Sequence, residues 1–532
     1  MSAVALVPAV SALGHDLQKA GVVAVALLAA VAVLGAGRPR VERWSAVAML
    51  LAVALTPVLL ITDIWDSPQL RPLRHHPTAA IAAAAGAGAV VVVLAAVIYR
   101  HAHALALLAV AALPFRIPIS SGGTTSNLLV PLYLVIAAGV LAHGARRLRG
   151  PALAPWPRAR GLEWLLMGLV GLYAVQASYS SDFMRALEQV VFFYVPFALL
   201  FVLLCSLDWE PRLVVACLAL AAALAVLLVG IGFLEYSRRE LLLNPRVIAS
   251  NQVESYFRVN SLFFDPNIYG RFLMAVMLGL TAGLLWSVRE RTTWLLAATL
   301  ALLLAGLLLS FSQSSLAALL LGLAVLAAVR FSVTWTLGLT GAALVAGVAA
   351  VALAPHAFHF DVGSSQSADR ATSGRSRLIR GGVDLFADRP LQGWGSGAFI
   401  RQYRAHNQVS AAGAASASHT IPITVAAEQG VIGLAVYLAL LAACLGRLFD
   451  RVRSSPQRLG VAAAFAALLL HTMLYADFLE DPLTWALLGI GTVLAWRQRA
   501  GLLPASGGLT ASAPAAAPAG PAAPGSGAGG PA

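Results

Sequence analysis

Residues 189–207 read QVVFFYVPFALLFVLLCSL, nineteen positions without a charge. Residues 212–235 follow almost at once as RLVVACLALAAALAVLLVGIGFLE, charged only at the two ends. A helix of about 20 apolar residues spans the hydrocarbon core of a bilayer, so each stretch reads as one membrane crossing. Working outward, similar runs lie near 20–36, 44–62, 78–98, 101–114, 125–143, 161–178, 266–287, 293–310, 314–330, 333–354, 420–446, 458–475 and 481–497. The run at 101–114 is short and ends at Pro114, which suggests a re-entrant segment. The boundary between 293–310 and 314–330 is only a few polar residues wide. The expected fold class is an all-α, polytopic integral membrane protein of about 12–15 transmembrane helices.

Composition agrees. The 532 residues are 59% hydrophobic and 11% charged, with a mean hydropathy of +0.81. Soluble domains carry about 25% charged residues, so an ordinary soluble protein is excluded. A disordered chain is excluded too, because Leu, Val and Phe are too abundant. Cys205, Cys217 and Cys444 lie in or beside apolar runs with no metal-ligand spacing, so neither a disulfide framework nor a zinc site is expected. His356, His359 and Asp361 have only a loose metal-like spacing. Residues 1–14 are apolar without a basic start and read as an interfacial or partial helix, not a cleavable signal. Residues 501–532 form an uncharged Ala/Pro/Gly tail expected to be disordered. The chain thus divides into N-terminal helices (1–249), a second membrane unit (250–500) and the tail.

The formal charge is +13, from 36 Lys+Arg against 23 Asp+Glu. Nineteen of the basic residues, among them Arg146, Arg147, Arg447, Arg458, Arg497 and Arg499, fall in loops on one side. By the positive-inside rule that side is cytoplasmic, which puts the N-terminus outside and the C-terminus inside. Five more (Lys19, Arg71, Arg74, Arg116, Arg185) lie in short outward loops. The remaining twelve sit in or beside two long outward loops, around 236–271 and 355–418. Topology does not call for them. A solvated loop balanced by Asp361, Asp369, Asp384 and Asp388 is one account. An anion site at the outer face is the other, since the guanidinium fork binds phosphate oxygens bidentately. Nucleic acid is not the expected partner.

The outward loops carry the polar motifs. Arg258 precedes Asp265-Pro266-Asn267 and Gly270-Arg271, where Asp and Pro open a helix. Ser310-Phe-Ser-Gln313-Ser-Ser315 makes a hydroxyl-rich turn between two spans. Arg375, Arg377 and Arg380 lie on a stretch whose Leu378, Ile379, Val383 and Phe386 recur at helical spacing, an amphipathic helix expected at the outer interface. Asp388-Arg389-Pro390-Leu391-Gln-Gly393-Trp394-Gly395 follows, ending at Gly397, a turn open enough for a ligand to approach the backbone. His419 begins a span and Glu428 lies inside it. An intramembrane carboxylate is costly unless paired, so Glu428 is a site candidate. His419 is suited to act as general base. The acidic Tyr475–Pro482 loop either pairs with the arginines or simply follows the topology.

In their order and on one side of the membrane, these four blocks resemble the O-antigen ligase / O-antigen polymerase (Wzy-C) superfamily of bacterial membrane glycosyltransferases, over about residues 250–490. Two positions depart from the family's usual pattern. Gln313 stands where the short turn often has Arg, and Thr420 follows His419 where Asn is frequent. The resemblance implies a GT-C-like fold and transfer of a glycan from an undecaprenyl-pyrophosphate carrier to an acceptor outside the cytoplasmic membrane, such as a growing glycan or a lipid A-core-like molecule. It implies inversion, with no metal and no cofactor. Arg258, Arg375, Arg377 and Arg380, with Asn267 and Gln313, would hold the pyrophosphate. His419 would act on the acceptor hydroxyl, and Glu428 would steady it. The alternatives are a lipid-linked-glycan flippase or other transporter, and a non-catalytic assembly factor. Ionisable groups concentrated in outward loops argue against transport, which places them near mid-membrane.

Overall fold

A computed structural model describes residues 14–502 and 530, apart from 39, 65–69, 122–123, 150–159, 243–256, 264, 288, 354–374, 408–419 and 476–477. The protein is an all-α, polytopic membrane protein. Ten described helices are long and apolar enough to cross a bilayer. Each of the fifteen apolar runs is helical at least in part. The 333–354 run forms the 21-residue helix Val333–Leu353, and the other four runs outside the ten have local causes. Ala104–Ala112 is too short, Gly161–Ala177 is slightly short, and Val130–Arg149 and Pro482–Arg499 end in arginines.

One local departure from all-helical structure occurs. Ile117–Ser121 and Thr124–Leu128 pair as an antiparallel hairpin, so the helix expected from residue 125 begins at Val130 instead. β-Branched Ile and Thr favour the extended form here, and two glycines separate the strands in sequence.

Burial sorts the helices into centre and rim. Phe183–Cys205 is 94% buried over its most apolar window and packs against His15–Gly35 and Pro482–Arg499. Thr78–Arg100 is only 6% buried, and its nearly all-apolar surface is what contact with lipid tails requires. Pro456–Tyr475 lies between Pro266–Leu284 and Gln313–Arg330. Ile421–Phe449 joins the two groups of helices, touching Gly161–Ala177, Pro456–Tyr475 and Arg375–Asp388.

Many arginines assigned to the cytoplasmic side join helix ends to one another. Arg147 pairs with Glu42, Arg447 with Glu163 at 3.1 Å, Arg499 with Asp450 at 2.8 Å, and Arg497 with Asp208. Arg458 is buried and donates to the carbonyls of Asp450 and Leu448. Arg147–Glu42 and Arg447–Glu163 link the end of one helix to the start of another, Arg499–Asp450 joins two C-terminal ends, and all of them gather at a common end of the bundle.

Candidate functional site

The opposite helix ends carry a second polar region. It begins at a break in the long helix Ile421–Phe449. Gly430 has φ +66° and ψ −165°, a conformation open to glycine and strained for other residues. The segment Pro390–Gly397 docks on this break. Val431 N–H donates to the Pro390 carbonyl (2.8 Å), Trp394 N–H to Ala427 (3.1 Å) and Gly395 N–H to Glu428 (2.9 Å). A Cβ at Gly430 would lie 2.2 Å from the Leu391 carbonyl oxygen, and one at Gly393 would lie 2.2 Å from that of Glu428. Gly395 and Gly397 abut the backbone of Ser180 and of Arg185 and Ala186 in the same way. The glycines were expected to admit a ligand to the backbone. They instead admit the chain's own backbone.

Glu428 is buried beneath this junction. One carboxylate oxygen accepts the Phe399 N–H (3.1 Å), and the other accepts the Tyr173 hydroxyl (3.2 Å). The carboxylate therefore ties the docked loop and the Gly161–Ala177 helix to the first turns of the 421–449 helix. Beside it lies a cavity of ≈ 80 Å³ lined by Tyr173, Arg185, Gln189, Tyr194, Thr424, Glu428 and Glu480 among others. Gln189 opens a π-helical turn, Gln189–Tyr194, inside the central span. Such bulges are frequent at functional sites because they re-aim side chains inward. From there Gln189 Oε1 shares the Tyr173 hydroxyl proton with Glu428, and Gln189 Nε2 donates to Glu480 (2.6 Å). Arg185 pairs with Glu188 at 2.9 Å and lies 3.9 Å from Glu480.

A second polar cluster adjoins through Asp481, the neighbour of Glu480. Buried Arg271 pairs with Asp481 and donates from Nε to His471 Nδ1 (3.2 Å). His471 Nε2 lies 3.1 Å from Ser315 Oγ and 3.3 Å from Ser314 Oγ. A neutral ring that accepts at Nδ1 carries its proton on Nε2. His471 thus donates to the serines and is not a base acting on them, although Ser, His and Asp are gathered here. Ser312 Oγ donates to the Asn267 side-chain oxygen (2.9 Å), and Tyr475 to Asp265 (2.5 Å). Arg258 Nε donates to the Ser310 carbonyl (3.2 Å).

The structure therefore brings Arg258, Asn267 and the Ser310–Ser315 turn together, and separately joins Glu428 to the glycine loop. Gln313 opens its helix with an exposed side chain. Arg375 opens the helix Arg375–Asp388, on which Arg377 and Arg380 are exposed. His419 lies outside the described residues, as do His356, His359, Asp361 and Asp477.

That amphipathic helix exists, but its packed face differs from the expected one. Leu378, Gly381, Gly382 and Leu385 are buried, while Val383 is exposed and Phe386 half-buried. The glycine pair explains the shift. A Cβ at Gly381 would strike the Tyr403 ring, and one at Gly382 would strike Ile423, each at 2.4 Å. The helix is drawn onto protein by its small residues, not by its largest apolar ones.

Arg185, Gln189, Tyr173 and His471 carry no motif signal in the sequence. Arg185 counted as a short-loop charge, and His471 is one polar residue in an apolar run. Glu480 and Asp481 had the right signal, an acidic loop that could pair with arginine. Their partners are Arg185 and Arg271, not the arginines of the large loop. Among the described residues no group of three or more His, Cys, Asp or Glu is placed to hold a metal ion.

Residues 298–438 match the family model described as O-antigen ligase (Wzy_C). No curated protein matches the chain. The Wzy_C segment holds the Ser310–Ser315 turn, the Arg375–Asp388 helix, the docked glycine loop, Glu428 and Gly430. It leaves out Arg258, the Asp265–Asn267 helix start, Arg185 and the Glu480–Asp481 pair, which pack against it from outside. The match supports an enzymatic, glycosyltransferase-like role of ligase or polymerase type at the level of the family. A multi-pass helical protein of this kind fits a bacterial inner membrane.

Proposed function

We propose that this protein transfers a glycan from an undecaprenyl-pyrophosphate carrier to an acceptor hydroxyl at the outer face of the cytoplasmic membrane, with inversion and without a metal. The observation that carries this reading is the Wzy_C match over a segment whose break at Gly430, Glu428 anchor and arginine-bearing helix form one packed unit. A GT-C-like arrangement accords with the polar cavity at one end of the span bundle.

In this reading His419 accepts the proton of the acceptor hydroxyl as that oxygen attacks the anomeric carbon. The bond from that carbon to the pyrophosphate oxygen breaks, and the carrier pyrophosphate leaves. His419 precedes the helix whose first turns line the cavity through Ile421 and Thr424. Glu428 is a positioning residue, because both of its oxygens are taken by protein donors. Arg375, Arg377, Arg380 and Arg258 would offset the charge of the departing pyrophosphate, the role a cation otherwise plays. Arg377, Arg380 and Gln313 present exposed side chains that would meet a substrate. Asn267, engaged by Ser312, would set the edge of the Arg258 subsite.

Reconstituted transfer from a matched carrier-linked donor tests the assignment. His419→Ala and Arg375→Ala should each abolish transfer while the protein still inserts, and EDTA should leave wild-type transfer unchanged. Normal transfer by both variants would overturn these roles. Glycan length in a deletion strain separates the two forms of the reaction. Single repeats indicate a polymerase, and long unattached carrier-linked chains indicate a ligase.

A further inference from the structure

Arg389 has an unusual setting. Its guanidinium lies 3.9 Å from the centroid of the Trp394 ring, and its side chain is exposed. Among the described residues it forms no ion pair. The adjacent carboxylate of Asp388 is 3.1 Å from His406 Nε2 instead. Stacking on an aromatic face fixes the plane of the fork and leaves its N–H edge open to an anion.

An exposed apolar strip begins two residues beyond Arg389. Leu391, two residues on, is 66% exposed. The Val431 N–H bond to Pro390 brings this residue beside Val431 and Ile432, which are 45% and 56% exposed. The exposed face continues along the same span to Leu438. The strip thus begins at an open arginine fork and runs into a membrane-crossing helix.

We propose that Arg389, stacked on Trp394, receives the phosphate end of a polyprenyl carrier, and that Leu391, Val431, Ile432 and Leu438 bear its first isoprene units. This rests on the transfer reading above and adds a carrier seat to it. Charge complementarity selects the occupant. An uncompensated fork at the head of an apolar strip matches a terminal phosphate on one chain, whereas a glycerophospholipid brings a singly charged diester on two chains. The break at Gly430 creates the seat, because an unbroken helix would not accept the Pro390–Leu391 backbone beside Val431.

The test is a titration of the purified full-length chain with undecaprenyl phosphate, read by native mass spectrometry, with undecaprenol and phosphatidylglycerol as comparison arms. Arg389→Ala should weaken undecaprenyl phosphate binding by about tenfold or more, the loss of one charge-assisted contact. Leu391→Asp should weaken it comparably. Undecaprenol should bind more weakly than the phosphate and ignore Arg389→Ala. Both side chains are exposed, and matching melting temperatures would confirm intact folding. Unchanged binding by both variants, with wild-type binding intact, overturns the seat and leaves the transfer reading standing. Phosphatidylglycerol binding that is as tight and as sensitive to Arg389→Ala overturns it in favour of a general anionic-lipid surface. Failure of the wild type to bind undecaprenyl phosphate overturns the seat, while reconstituted transfer from the carrier-pyrophosphate donor decides the transfer reading by itself.

Discussion

Gly430→Ala adds one methyl group at the junction on which the candidate site depends. The wild-type φ of +66° with ψ −165° lies where an L-residue is strained by about 1–3 kcal/mol. The added carbon would also sit 2.2 Å from the Leu391 carbonyl oxygen and 2.5 Å from its carbonyl carbon. Backbone cannot swing away as a flexible side chain can, so the loop must lift. Lifting breaks the Val431–Pro390, Trp394–Ala427 and Gly395–Glu428 bonds, each contributing about 1 kcal/mol. The expected cost is about 4–6 kcal/mol, confined to the docking of the loop on the helix. The spans themselves keep their packing, so the protein should still insert and purify as a single species. Hydrogen exchange should show it directly. The amides of Trp394, Gly395 and Val431 should lose protection, while those of the central Phe183–Cys205 helix should not. Glycan transfer should fall at least about 100-fold, because the start of the 421–449 helix loses its anchor. Wild-type protection at these three amides in the Ala variant would refute the reasoning.

Other consequences can be measured alongside it. Arg271→Ala leaves buried Asp481 unpaired and should destabilise the fold by about 3–5 kcal/mol, read as a lowered melting temperature in detergent. Glu428→Gln keeps the shape but weakens an acceptor held by Phe399 N–H and Tyr173. It should cost about 1–3 kcal/mol in loop docking, visible as faster exchange at Phe399. At the other bundle end, the hydrogen bond from Arg499, opposed by burial, holds the Asp450 carboxyl below its ordinary value. Its stabilisation is present above the ordinary carboxylate range and is lost as pH falls through the depressed value. The melting-temperature gap between wild type and Asp450→Asn should therefore close in acid, and a gap that widened would contradict this.

Some features were legible along the chain because they depend on local sequence. Membrane class follows from uncharged runs such as 189–207, since burying backbone in lipid forces a helix whatever it packs against. The Pro266 and Pro482 helix starts follow from side chains reaching only two or three residues. Asp265 accepts from Asn267 N–H and Asp481 from Leu483 N–H, as the Asp-Pro pattern suggests. The Ser310–Ser315 turn and Glu428 were recognisable because polarity inside an apolar run is itself a signal.

Tertiary structure decided the rest. That the Gly393–Gly397 glycines serve backbone contact with Glu428, Ser180 and Arg185 depends on segments more than 30 and up to about 215 residues away in sequence, which no spacing rule reaches. The pairing of Glu480 with Gln189 and Arg185, and of Asp481 with Arg271, required knowing which helices are neighbours. Within the Arg375–Asp388 helix, periodicity gave an amphipathic face, but small Gly381 and Gly382 chose the buried one. By itself the sequence determined that this is a helical membrane protein with surplus arginine in or beside two long loops, because hydropathy and charge are summed residue by residue. Which arginines are already neutralised inside the fold, like Arg271, and which stay open, like Arg389, only the three-dimensional packing could decide. Pairing is set by distance through space, and helices far apart in the chain supply the partners.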